Sequence, residues 1–508
     1  MPPAGSSTPP RPAPWDDVDP TDQLFVVITG ANRKKKPRTR ADPRENSGIG
    51  LGTGERLIDE FLSTRPATAH LILIPTTRSD AKSRQTIRAL RAHAITAAKA
   101  LRRPHAPGND NDDNGGDGGY RWEDHAARVH VLSLQLDLCD VRAVYELADR
   151  VCTGTLSNPE GVEGPDAELR DVVVPRLDAV VCNAAYGGWS GLSYLNFFWT
   201  LLVDGFIQTV TWPKCKVAYP TRILNQQPAY RYPAKPRLGE VFCACVFGHY
   251  LLAHQLLPLL SRPNSAPSTI TQPPPGRIIW SSSVEAVRSV FDPSDIQCLR
   301  PSSAPYESAK RLTDILSLTH TLPSVRPISS SYLREDGTKE DARQPPKMYL
   351  THPGVVASSI FPLPGFLFWA YHLALTLARL LGSPWHTVDA YHGSRSAAWV
   401  ILQEQATLDE LDGERVKWGS AANRANESFV KKTEVDGWGW TGRVEGESES
   451  EDHDKDGVVE HVLRKSVGRR RDVADVTKEE LEDFEELGRE CWEHMEELRE
   501  EWEEILGL

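Results

Sequence analysis

Leu24-Phe25-Val26-Val27-Ile28 runs straight into Thr29-Gly30-Ala31-Asn32, and further on Ser47-Gly48-Ile49-Gly50 opens the segment Leu51 to Leu62. The first run is apolar and rich in β-branched residues, the pattern of a buried strand. The last segment reads as a helix. Between them lies Arg33–Asn46, basic and proline-containing. With that interval set aside, the text reads Thr-Gly-Ala-Asn-Ser-Gly-Ile-Gly: strand, glycine turn, helix. Glycines this close together let a backbone approach a pyrophosphate, and a helix N-terminus supplies unpaired N–H groups to bind it. Arg33–Asn46 is therefore read as an insertion in a phosphate-binding turn. Gly30, Asn32, Ser47, Gly48, Ile49 and Gly50 become candidate cofactor-binding residues.

Working outward, apolar runs recur at Leu71–Ile74, Val129–Leu136, Leu177–Cys182, Arg277–Trp280 and Lys347–Leu350. Helical patterns lie between them at Val141–Val151, Val241–Leu260 and Tyr306–Leu318. Strands alternating with helices predict an α/β fold with a doubly wound, Rossmann-like parallel sheet. Each polar motif follows a strand directly, which gathers the motifs at the carboxyl edge where such sheets bind ligands. The second strand ends in Thr76-Thr77-Arg78, with Lys82 close behind. An acidic residue here would suit a ribose 2′-hydroxyl; a basic one suits a 2′-phosphate. Thr77, Arg78 and Lys82 thus point to NADP. Asp137 closes the third strand, Asn183 follows the fourth, Ser281-Ser282-Ser283 the fifth, and His352-Pro353-Gly354-Val355 the sixth.

Tyr306 and Lys310 stand four apart on a helix and so share one face. A free phenol has a pKa of about 10. A neighbouring ammonium favours the phenolate and lowers that value. The pair is suited to giving a proton and taking it back, as interconversion of carbonyl and alcohol requires.

The chain has 508 residues and a net charge of -12, which argues against general nucleic-acid binding. Its eight cysteines show no Cys-x-x-Cys spacing, so neither a metal site nor a disulfide framework is expected. The N-terminus has no apolar run of the secretory kind. Residues 1–22 read as a disordered lead-in, 23–440 as the nucleotide-binding reductase domain, and 441–508 as an acidic tail. That tail contains a capping box, Thr477-Lys478-Glu479-Glu480, and an amphipathic helix expected to dock on the domain or on a partner. Trp189–Tyr232 is strongly aromatic: a packed helix, a wall near substrate, or a lipid-facing surface. Phe366–Leu381 is an apolar helix, slightly short to span a bilayer, that suits a membrane surface, an apolar pocket or a core position.

Thr29-Gly30-Ala31-Asn32 with Ser47-Gly48-Ile49-Gly50, Asn183-Ala184-Ala185, Ser283, Tyr306 with Lys310, and Pro353-Gly354 together resemble the short-chain dehydrogenase/reductase family. Within it, Ile279-Trp280-Ser281-Ser282-Ser283, Phe247-Gly248-His249-Tyr250 and His352-Pro353-Gly354-Val355-Val356 resemble the 3-keto-steroid reductases of fungal ergosterol synthesis. The resemblance covers roughly residues 23–440. It implies NADPH-dependent reduction of the 3-ketone left after sterol C4 demethylation, giving a 3β-hydroxysterol. A carbonyl reductase for another bulky lipid ketone, or a non-catalytic nucleotide-binding scaffold, are the other readings. The resemblance also implies the cytosolic face of the endoplasmic reticulum, or lipid droplets, with other C4-demethylation proteins as partners. It assigns proton donation to Tyr306, the cofactor ribose to Lys310, and the carbonyl oxygen to Ser283, with Ser282 as the alternative. Asn183, Asp137, Val355 and Ser358 fall at cofactor positions, Ser358 near the nicotinamide amide. Cys245 stands where the family has an asparagine that helps hold a water beside the lysine.

Overall fold

The computed structural model describes residues 10–31, 48–101, 120–219, 222–224, 236–264, 273–302, 304–334, 343–358, 360–361, 363, 365–444 and 468–508. The expected insertion Arg33–Asn46, and with it Asn32 and Ser47, lies outside these residues.

Strands β1 (Gln23–Ile28), β2 (His70–Thr77), β3 (Val129–Val131), β4 (Leu134–Gln135), β5 (Ala179–Cys182), β6 (Arg277–Ser281), β7 (Lys347–His352), β8 (Lys417–Ala422) and β9 (Ser428–Thr433) form one sheet. Its order is β9-β8-β7-β6-β5-β1-β2-β3, with β4 beside the end of β2. Every pairing is parallel except β8 with β9. The order reverses at β1, whose neighbours are β2 on one side and β5 on the other. That crevice is where parallel sheets take ligands. Helices α1 (Ile49–Thr64), α2 (Asp80–Ala100) and α8 (Arg395–Leu402) join the apolar core on one face. Helices α3 (Val141–Thr153), α5 (Gly248–Gln255) and α6 (Pro305–Thr319) join the core on the other.

Three expectations change. Val129–Leu136 is not one strand. Asn158 Oδ1 accepts the Ser133 N–H at 2.8 Å and the Ser133 hydroxyl bonds the Pro75 carbonyl, so the ladder breaks between β3 and β4. Val241–Leu260 is not one helix. Residues Cys243–Phe247 form a π-helical turn between Glu240–Phe242 and α5, and the chain breaks again before Pro258, which has no N–H to continue. Residues 10–22, expected as disordered, pack on the sheet: Trp15 is fully buried, edge-on to Phe25 at 5.7 Å, and Gln23 donates to the Trp15 and Val18 carbonyls.

The tail helix, α9 (Lys478–Leu506), begins at the expected capping box. Thr477 Oγ1 accepts from Glu480 N, and Glu480 Oε2 accepts from Thr477 N. Its stripe of Phe484, Cys491, Trp492, Met495, Leu498 and Trp502 is buried in the main core. It packs along α6, so close at Gly488 that a Cβ there would lie 2.6 Å from the Thr319 side chain. Trp492 is edge-on to Tyr332 at 5.2 Å, and its Nε1 donates to the Leu316 carbonyl. Trp492→Ala is expected to lower unfolding free energy by about 3–5 kcal/mol, the range for deleting a buried aromatic side chain. Guanidinium titration checks this; a loss below about 1 kcal/mol would show that α9 is only loosely seated.

Candidate active site

The site is built where β1, β5, β6 and β7 end. At the close of β1, Gly30 takes φ +70°, and a Cβ on it would lie 2.8 Å from the Ala184 side chain. Gly50 is equally tight: a Cβ there would lie 2.6 Å from Asn183 Nδ2. Gly48 is the N-cap of α1 with no side-chain cap bond, so the turn presents backbone to whatever sits above it. This cradle fits a dinucleotide phosphate. Asn183 locks the turn from the other side, donating through its N–H to Thr29 Oγ1 at 2.9 Å and through Nδ2 to the Thr29 carbonyl at 2.8 Å.

Thr29 and His249 carry more than the sequence suggested. His249 Nδ1 faces the Cys245 carbonyl at 3.3 Å and Nε2 faces Thr29 Oγ1 at 2.7 Å. Burial pushes the His249 pKa down to about 3, with the Lys310 ammonium adding to the shift. The ring is therefore neutral. A carbonyl can only accept, so Nδ1 holds the proton and Nε2 accepts from the Thr29 hydroxyl.

α6 starts with Pro305 at its first turn, a position that loses nothing by lacking an N–H. It presents Tyr306 and Lys310 towards the end of β6. Lys310 Nζ donates to the Ser281 carbonyl at 2.5 Å and lies 5.7 Å from the centroid of the Tyr306 ring. The expectation that Lys310 lowers the phenol does not hold in this geometry. Burial pushes Tyr306 well above its ordinary value, the Cys245 thiol and the Glu285 and Glu307 carboxyls act in the same direction, and a hydrogen bond with Ser283 opposes them. Burial likewise lowers Lys310, with Cys245 and Asp314 opposing. The phenol is thus held in its proton-donating form. Ser282, the alternative hydroxyl, is bonded to Asp314 and buried, which leaves Ser283 as the hydroxyl beside Tyr306.

The other expected residues divide. Thr77 is buried and bonds Ser83 and the Ser79 carbonyl; Arg78 is exposed just beyond it, with Lys82 half-buried on α2. The Thr76 carbonyl accepts from Ala31 N at 3.2 Å, which joins the end of β2 to the glycine turn. Asp137 is exposed and caps its own turn, accepting from Cys139 N. Val355 donates its N–H to the Trp385 carbonyl at 2.6 Å, and its own carbonyl accepts from Val388 N at 3.1 Å, which leaves that oxygen a second lone pair. Ser358, three residues on, is half-buried and donates its N–H to the Val356 carbonyl at 2.8 Å. The thiol of Cys245 is tied to the Tyr186 backbone N–H at 3.4 Å and carbonyl at 3.5 Å.

A group not singled out from the sequence surrounds Tyr306. Trp189 lies edge-on to it at 4.7 Å and to Phe361 at 5.6 Å. Lys216 Nζ sits 3.9 Å over the Trp189 ring and binds both Glu285 and, at 3.1 Å, Glu307. Glu285 N in turn donates to Ser283 Oγ at 3.1 Å. A small open depression lined by Tyr186, Tyr219, Arg222, Gln297 and Pro305 lies behind the start of α6; Ser283, Tyr306 and Lys310 do not line it. Among the described residues no cluster suits a metal ion.

The chain is 53% identical to the 3-keto-steroid reductase of Gibberella zeae over 99% of both chains. It is 37% identical to that of Aspergillus fumigatus over 95% of both. With that of Schizosaccharomyces pombe it shares 28% identity over 58% of this chain and 72% of the relative. No family model matches.

Burial raises the Glu285 carboxyl, Lys216 opposes, and Glu307 adds to the rise. The folded protein then holds a proton that an unfolded glutamate, with a pKa of about 4.3, releases. This group therefore weakens the fold as pH rises from roughly 4.3 towards neutrality. Glu285→Gln is expected to remove that slope, so that the wild-type Tm falls relative to the variant between about pH 5 and pH 7.5. Parallel Tm curves for the two proteins would show that Glu285 titrates like an exposed carboxyl.

Proposed function

This chain belongs to the fungal 3-keto-steroid reductases, and we propose that it reduces the 3-ketone of a C4-demethylated sterol intermediate to the 3β-hydroxysterol with NADPH. The observation that carries the reading is the meeting of Ser283, Tyr306 and Lys310 beside a glycine cradle at one sheet edge, in a chain matched from end to end by a reductase of that name. NADPH, when bound, supplies the hydride. Gly30, Gly48, Ile49, Gly50 and Asn183 hold its phosphates and turn, Arg78 and Lys82 its 2′-phosphate, Lys310 its ribose, and Ser358 its amide. Ser283 hydrogen-bonds the ketone oxygen and stabilises the charge that grows there. Tyr306 gives that oxygen its proton. Trp189 and Phe361 keep water from the phenol's flank.

The same reading places the protein on a membrane surface: the cytosolic face of the endoplasmic reticulum or a lipid droplet, beside other proteins of C4 demethylation. No helix among the described residues is long and apolar enough to cross a membrane. Two helices do present apolar side chains outward. On α4 (Tyr194–Val203), Leu195 is 85% exposed and Trp199 67%. On α7 (Gly365–Leu380), Phe366, Trp369, Leu373, Leu377 and Leu380 recur every three or four residues on the exposed side, while Phe368, Leu375 and Ala378 are buried. Both helices pack on the short helix Phe206–Thr211. Such amphipathic faces, carrying tryptophan, suit an interface of lipid and water.

Purified protein is expected to consume NADPH with a 3-keto-4-methylsterol. Tyr306→Phe should cut that turnover by roughly 10²–10⁴ while leaving NADPH affinity, read by fluorescence, nearly unchanged. Near-normal turnover in the variant would remove Tyr306 as proton donor. For the membrane, the protein should sediment with lipid vesicles, and Ser at Leu195, Trp199, Phe366 and Trp369 together should release it. Wild-type protein that stays in the supernatant would refute lipid docking.

A further inference from the structure

On α6 the four-residue spacing continues past Lys310 to Asp314, so phenol, ammonium and carboxylate form one stripe. Asp314 has no exposed surface and Lys310 is buried too. A buried carboxylate one turn from a buried ammonium is a natural partner for it, since little water screens their attraction. Yet Lys310 does not bond Asp314. Its Nζ donates to the Ser281 carbonyl. Asp314 is taken by Lys417, which reaches across from β8 with its side chain only 3% exposed and meets Asp314 Oδ2 at 2.6 Å. The other carboxylate oxygen bonds Ser282 Oγ. Lys417 Nζ also donates to the Ser283 carbonyl at 2.7 Å.

We propose that Lys417 is a positioning residue for the reduction: it engages Asp314 so that Lys310 is left to the Ser281 carbonyl, Tyr306 and the cofactor, and it anchors the backbone of Ser283. This rests on the assignment of Ser283, Tyr306 and Lys310 above. Three consecutive residues at the end of β6 are thereby fixed from below, Ser281 by Lys310, Ser282 by Asp314 and Ser283 by Lys417. A buried ion pair adds little net stability over apolar residues of the same volume, so stability alone gives no reason for it here. The other groups facing the pair are Arg311, Asp436 and His352; those facing Lys310 are Cys182, Cys245 and His249. Of these, Arg311 is already held by the Asp436 carbonyl.

The test uses the full chain, with kcat followed across pH and NADPH affinity measured by fluorescence. In Lys417→Met, Asp314 turns to Lys310. The expected results are a kcat lower by about 10- to 100-fold, weaker NADPH binding, and an alkaline limb of the kcat profile moved to higher pH, because the site loses the Lys417 charge while keeping the Asp314 carboxylate, which disfavours a second anion nearby. Adding Asp314→Asn to that variant should bring affinity and profile back to within about threefold of wild type and kcat back in part, the bond to the Ser283 carbonyl staying broken, and Lys417→Arg should keep all three. A Lys417→Met protein with the wild-type profile and affinity would overturn the proposal, as would a double variant no better than the single one. If Lys417→Met does not fold, Asp314→Asn alone decides: kcat within about threefold of wild type supports the proposal, and a loss beyond tenfold refutes it. Tyr306→Phe, measured in parallel, separates the two levels. Undiminished turnover there overturns the site assignment, whatever Lys417 does.

Discussion

The hydroxyl of Thr29 joins the ends of two strands to a helix. It sits where β1 stops, receives the N–H groups of Asn183 and Ala184 from beyond β5, and meets the imidazole of His249 on α5. Asn183 can reach across the glycine turn only because that joint holds its backbone. Gly50 can approach Asn183 only because it has no side chain of its own. The neutral His249 ring then leads through the Cys245 carbonyl to the π-helical turn before α5, whose Cys245 faces Tyr306 and Lys310. Cofactor cradle and proton donor are thus set relative to each other by a handful of neutral hydrogen bonds, of which those of His249 are buried, where such bonds are electrostatically stronger than at a surface.

Most of the parallel sheet was legible because buried parallel strands write themselves as continuous apolar runs. β8 was not, because Lys417-Trp418-Gly419-Ser420-Ala421-Ala422 is chosen for other reasons. Gly419 leaves space for the His352 and Trp385 rings, Lys417 faces Asp314, and Ser420 bonds Ser396. The interruption of Val241–Leu260 by a π-turn was also invisible, since every residue there is apolar whichever turn it adopts. At the site, Tyr306, Lys310, Gly30 and Gly50 could be named from local spacing, and Ser283 and Asn183 through the family resemblance. Lys216, Glu285 and Glu307 could not. Their meeting depends on the Trp189–Leu192 and Lys216–Ala218 hairpin folding back over α6, a contact that no sequence period records.

α6 shows why a polar sequence can form a buried helix. Glu307, Lys310, Arg311 and Asp314 are all buried, a pattern that by composition would suggest a surface helix. Each finds a fixed partner: Lys216 for Glu307, the Ser281 carbonyl for Lys310, the Asp436 carbonyl for Arg311, and Lys417 for Asp314. Those partners come from four separate parts of the chain. A helix so enclosed has little freedom to shift, and that suits a proton donor whose alignment decides its rate.

The clasp of α9 on α6 has a consequence for the order in which the molecule is made. α6 ends at Thr319, and the helix that covers it begins at Lys478. At typical rates of synthesis, roughly 5–20 residues per second, that gap takes on the order of ten to thirty seconds. Throughout it, the face of α6 around Leu316 and Thr319, and the stacked rings of Tyr250 and Tyr332, have no Trp492 to cover them. The nascent chain therefore carries an uncovered apolar seam along the C-terminal half of α6 until α9 arrives.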